Sequence, residues 1–179
     1  MRVNQDKFKE LILYLSEKSR DDKKFGATKL NKLLYFCDFG AYVELGQPVT
    51  GVGYFRLREG PAPRCLIPVR REMVESGALE VKAVPLSTRA KSLERTVNLR
   101  APKMDAFSPE EMELIDSVLA EFKDYDSDEI SDRSHREMGW LLMAERETIP
   151  YPMAFYSNPP LTGEEIERGQ QIAASRRTA

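Results

Sequence analysis

The segment Thr28 to Leu45 constrains this fold more than any other part of the chain. Leu30, Leu33, Leu34, Cys37 and Ala41 recur at helical spacing, and Tyr35, Phe36 and Phe39 widen that stripe until nearly every turn is apolar. A helix with so little polar surface belongs at the centre of a core. The same stripe would also suit a groove for a partner, but apolarity on almost every turn favours the core. Thr28 reads as the N-cap, and Gly46, with Pro48 just beyond, as the stop.

The remaining elements arrange themselves around that helix. Phe8, Leu11, Ile12 and Leu15 fall on one stripe and predict a helix over 5–17, ended by a polar linker at 18–24 with a turn at Gly26. Val52 to Arg58 reads as a strand, with Phe55 and Leu57 on one face and Tyr54, Arg56 and Arg58 on the other, stopped by Gly60-Pro61-Ala62-Pro63. A short helix is predicted over 68–77. Alternating strands follow at 78–84 and 95–99, and the three strands together make a small antiparallel sheet. The polar connection 85–94 is expected to be exposed. Ser108-Pro109-Glu110-Glu111 has the form of a capping box that opens a helix running to about Lys123. A further helix begins near Ser127, turns Ile130, Ser134 and Met138 inward and leads into Trp140–Met143. Pro150 and Pro152 imply extended chain. Thr162 to Glu165 is a second capping box that opens a short terminal helix, and the tail 175–179 is expected to fray.

These elements predict an α+β fold: a mainly helical single domain over 1–174 with a small antiparallel sheet in the middle of the chain. At 179 residues the chain is long enough to bury one core. Its 27 basic and 29 acidic residues nearly cancel, and a net charge of −2 gives no bulk attraction to nucleic acid or to an anionic membrane. No apolar run approaches the ~20 residues that span a bilayer. The N-terminus carries no apolar signal core, so a cytoplasmic protein is expected. Cys37 and Cys65 sit among apolar neighbours and lack CxxC spacing, which favours buried free thiols over a disulfide or metal pair.

Chemistry-bearing residues are sparse. His135 is the single histidine. As a general base it would need an oriented nucleophile, yet Ser134, adjacent on a helix, points about 100° away. As a zinc ligand it lacks a Cys/His cluster, so a core or capping role is expected and neither cofactor nor metal is called for. The charge pattern says more. Lys82, Arg89, Lys91, Arg95, Arg100 and Lys103 face only Glu94 within their stretch. Asp105, Glu110, Glu111, Glu113, Asp116, Glu121, Asp124, Asp126, Asp128 and Glu129 face only Lys123. Two readings stay open: ordinary solvated or mutually facing patches, and an acidic surface that steers a basic partner. Nucleic-acid contact through Arg56, Arg58 and the 89–100 region is disfavoured by the acidic bulk charge and the lack of interleaved aromatics.

Lys29-Leu30-Asn31-Lys32-Leu33-Leu34-Tyr35-Phe36 with Asp38, Gly46-Gln47-Pro48, Gly60-Pro61-Ala62-Pro63, Ala106-Phe107-Ser108, and Ser134-His135 with Trp140 occur in that order. The ordered set resembles the SocA-like antitoxin family, built on the Panacea domain, from about Phe8 to Trp140. The chain departs from the family pattern at Arg58-Glu59, where an aromatic residue is expected before the turn, and at Ala62, where a bulkier Val is expected.

The resemblance implies a non-enzymatic antitoxin of a bacterial or phage system that binds and neutralises a cognate protein toxin. It would do so by covering the toxin's functional surface or, as an adaptor, by delivering the toxin to the ClpXP protease. Repression of its own operon through DNA is the alternative. The matched residues Lys29, Lys32, Tyr35, Asp38, Gly60, Pro61, His135 and Trp140 are then expected to maintain the fold. Partner contacts are expected from Tyr54, Arg56 and Arg58 on the strand and from an acidic face carrying Glu110, Glu113, Asp124 and Asp128.

Overall fold

The computed structural model describes residues 2–85 and 92–156. Arg89, Lys91, the capping box at Thr162–Glu165 with its helix, and the 175–179 tail lie outside the described residues. Helices α1 (Gln5–Lys18) and α2 (Ala27–Leu45) come first. Asn4 caps α1 by accepting the Lys7 N–H at 3.0 Å, and Phe8, Leu11, Ile12 and Leu15 are all buried. The N-cap of α2 is Gly26 rather than Thr28, and Gly46 ends that helix in a left-handed conformation. Gly26 is forced by proximity, because a β-carbon there would overlap the Leu93 side chain.

Strand β1 (Tyr54–Leu57) is shorter than the sequence suggests, and the Gly-Pro segment does not merely stop it. Gly60–Pro63 is itself a strand, β2, paired antiparallel with β1 in the register Phe55↔Ala62 and Leu57↔Gly60. On its other side β1 pairs with β5 (Thr148–Ile149), a strand the prolines at 150 and 152 concealed. The Arg56 N–H donates to the Glu147 carbonyl at 3.0 Å, so the main chain of Arg56 faces β5. Pro61, opposite Arg56, therefore needs no N–H towards β1, which is how a strand with proline at every second position can sit on a sheet edge.

Helix α3 (Leu66–Glu75) leads into β3 (Leu79–Pro85) and β4 (Ser92–Asn98). These two form a separate antiparallel hairpin instead of joining β1, so the expected single sheet is in fact two. Helix α4 (Pro109–Glu121) opens with the capping box at Ser108 and Glu111. The helix expected to continue from Ser127 is broken into α5 (Ser127–His135) and α6 (Met138–Leu142), because Glu137 adopts an extended conformation and caps α6. Pro152 lies in a 3-10 turn, Tyr151–Phe155, not in extended chain.

Helix α2 is the hub, packed against β2, α4, α5 and the 151–155 turn. Leu30, Leu33, Leu34, Cys37 and Ala41 are buried as expected. An aromatic chain runs outward from the hub, with Tyr35 stacked on Phe39 at 4.1 Å between centroids and Phe39 stacked on Tyr151 at 4.6 Å. Within the basic stretch, Arg95 and Arg100 serve the packing of the hairpin. Arg100 grips Glu10 of α1 with a two-pronged contact at 2.6 and 2.9 Å, and Arg95 donates to the Phe25, Asp22 and Arg20 carbonyls. No helix among the described residues is long and apolar enough to cross a membrane.

Candidate functional site

Three polar side chains on α2 are almost wholly buried, and each reaches a different distant segment. Lys29 Nζ donates to Asp22 at 2.7 Å and to the Lys123 and Tyr125 carbonyls at 3.0 and 2.7 Å, tying the chain after α1 to the α4–α5 connection. Asp38 accepts the Thr50 N–H and hydroxyl at 2.6 and 2.5 Å and the Tyr54 hydroxyl at 2.8 Å. Burial pushes the Asp38 carboxyl above its ordinary range despite those donors. Lys32 donates to the Pro61 carbonyl at 3.2 Å, and burial pushes its ammonium down to about 7.

Lys32 belongs to a cluster that brings several of the sequence-predicted residues together. Gly60 has φ +100, and a β-carbon there would overlap Ser134 Oγ and lie 2.5 Å from Lys32 Cε and 2.8 Å from Lys32 Nζ. Ser134 donates to the Ser131 carbonyl at 2.7 Å, within α5. His135 stacks on Trp140, centroid to centroid 4.0 Å. Its ring bonds the Arg58 main chain, while burial and nearby Lys32 hold its pKa below the ordinary value. Trp140 donates to the Leu57 carbonyl at 2.8 Å, and the Arg56 guanidinium lies 4.4 Å above its indole ring. The motif around His135 and Trp140 thus anchors α5 and α6 to the β1–β2 hairpin. Ser134 is fully buried and bonded within its own helix, so it is not presented to any substrate. Among the described residues no group of three Cys, His, Asp or Glu side chains could hold a metal ion.

The expected partner residues are placed differently from one another. Tyr54 is a correction: it is fully buried, with its hydroxyl donating to Asp38 and the Leu34 carbonyl, and offers no surface. Arg56 is half-buried against Trp140, and Arg58 is exposed. Glu110 and Glu113 are exposed one turn apart on α4, with Glu110 accepting the Ser108 hydroxyl at 2.7 Å. Asp124 and Asp128 are exposed past the far end of α4, a helix about 20 Å long.

The alternation along β1 holds, but its inward face is the one that carries Tyr54. Phe55 and Leu57 turn outward and, with Arg64 and Arg146, line an open trough of about 530 Å3. Sequence reasoning missed this feature. Tyr54 and Phe55 are equally large, so a period of two does not say which face is buried. The one available signal was Asp38, whose buried carboxylate demands a hydroxyl partner such as Tyr54.

No curated protein and no solved structure matches the chain. A family model described as antitoxin SocA-like, Panacea domain, matches residues 30–141, from the start of α2 to α6. That span holds Lys32, Asp38, the Gly60-Pro61 strand and the His135–Trp140 pair, so the chain belongs to the SocA-like antitoxin family with its Panacea domain.

Proposed function

We propose that this chain binds a cognate protein toxin and neutralises it by covering the toxin's functional surface. Family membership gives a toxin–antitoxin role at the level of the family. The observation that carries the finer reading is how the motif residues are used. Lys29, Lys32, Asp38, Gly60, His135 and Trp140 are spent on joining segments to α2 and to the β1–β2 hairpin. What they support is a rigid scaffold, and activity then resides in the surface it presents. Delivery of the toxin to ClpXP is the other route by which such a surface would act.

The test is co-expression of the tagged chain with the product of the adjacent gene. Recovery of a stoichiometric complex, with relief of growth arrest, supports neutralisation by binding. A toxin whose half-life collapses only when ClpXP is present points to delivery instead. A chain that captures no protein but shifts its own upstream DNA at moderate salt sinks the toxin-binding reading in favour of autoregulation.

A further inference from the structure

The trough beside β1 joins an apolar floor to cations without carboxylate partners. Phe55 and Leu57 are half-exposed on its floor, and Arg64 and Arg146 are exposed on its rim. Lys7, Lys29, Arg70, Arg100 and Arg133 are matched to carboxylates, whereas these two arginines, like exposed Lys23 and Arg71, make no ion pair among the described residues. Arg64 instead rests its guanidinium 5.6 Å from the Phe55 ring centroid and donates to the Arg146 carbonyl at 3.3 Å. Among the described residues the Arg146 side chain makes no ion pair.

Backbone strain lies at the same place. Arg146 has φ 65, the single positive φ outside glycine among the described residues. Its N–H donates to the Arg56 carbonyl at 2.7 Å, extending the β1–β5 pairing, so the sheet fixes the tight turn that carries this arginine. A left-handed arginine is a costly way to turn a chain when glycine would do so without strain. Arg146 also lies beyond residue 141, where the family match ends, so this half of the rim is outside what the family model describes, while Arg64 lies within it.

We propose that the trough is the docking site for an acidic segment of the partner toxin, one that carries carboxylates beside an apolar side chain. The inference rests on the antitoxin reading and assigns the surface that performs it. The apolar side chain covers Phe55 and Leu57, while the carboxylates meet Arg64 and Arg146, whose forked guanidinium groups suit them. A nucleic-acid strand fits less well. The trough's lining holds two cations and one aromatic ring, whereas a strand asks for a longer run of phosphate contacts and successive stacking platforms.

The experiment measures the Kd of the full chain for the adjacent gene's product. Arg64→Glu with Arg146→Glu is expected to weaken binding by about a hundredfold, whereas the same charge change at the exposed Lys23 and Arg71, Lys23→Glu with Arg71→Glu, stays within about threefold. Arg146→Gly removes the guanidinium and suits the left-handed backbone. It is expected to melt no lower than wild type yet bind about tenfold more weakly, which separates docking from folding. An unchanged Kd in the arginine variants, with wild-type binding intact, overturns the docking site and leaves the antitoxin reading standing. Failure of the wild type to bind that protein, or arginine-dependent binding of DNA in its place, overturns both.

Discussion

Gly60→Ala tests whether the Gly-Pro strand and the serine–histidine element form one joint. Two costs add at this position. The backbone has φ +100, where an L side chain costs about 1–2 kcal/mol. The new methyl also meets the buried Ser134 Oγ and the stem of Lys32, and overpacking of this kind costs about 1–3 kcal/mol. The sum is about 2–5 kcal/mol, which in urea lowers the midpoint by roughly 1–2 M at unchanged slope. Gly77→Ala is the internal control. Its φ is +70 but nothing lies within 4 Å of the added carbon, so it carries the backbone cost alone, about 1–2 kcal/mol. Ser134→Ala removes the atom in closest overlap, so Gly60→Ala should cost less in that background, with a coupling of about 1 kcal/mol. If Gly60→Ala and Gly77→Ala destabilise equally, and no coupling to Ser134 is found, the joint described here does not exist.

Lys32 predicts a pH dependence. Its ammonium is pushed down from 10.5 to about 7, so between those values the unfolded chain holds a proton there that the folded chain has released. Wild-type stability should therefore rise with pH above 7 relative to Lys32→Met, by up to about 1.4 kcal/mol per pH unit. A pH-independent difference in urea midpoints would rule this out. Asp38→Asn removes a charged acceptor from the Thr50 and Tyr54 donors and turns an amide N–H towards them. It should cost about 2–4 kcal/mol, read as a lowered melting temperature, and a loss below 0.5 kcal/mol would contradict the geometry. Trp140 is the only tryptophan, so Arg56→Ala should shift its emission and cost about 1 kcal/mol, whereas an unchanged spectrum would place the guanidinium elsewhere.

The helices were legible because their signals are local. The α1 stripe, the Ser108 box and the apolar turns of α2 are each written within a few residues, and all three appear as read. The sheets were less so, because pairing depends on distant partners. Thr148–Ile149 is too short to show a period, and nothing in 60–63 announces that its prolines sit where no N–H is needed. The break between α5 and α6 comes at Glu137, whose extended backbone no residue type in 134–140 announces. For the candidate surface, the strand was found but its orientation was not. The alternation puts Tyr54 on one face with Arg56 and Arg58 and so suggests an outward side chain, yet its hydroxyl serves a buried carboxylate.

The pegs on α2 mostly grasp main chain. Lys29 holds two carbonyls, Lys32 holds one, and Asp38 takes an amide N–H along with its hydroxyls. A carbonyl or an amide survives almost any change of the side chain that accompanies it. The 123–125 segment, which Lys29 pins by its carbonyls, can thus exchange its own side chains without loosening that pin. Such a scaffold separates what holds the molecule together from what it shows to others, and sequence can drift across the outer face while the architecture stays put. A lineage built this way could acquire new counterparts by substitutions that cost little stability.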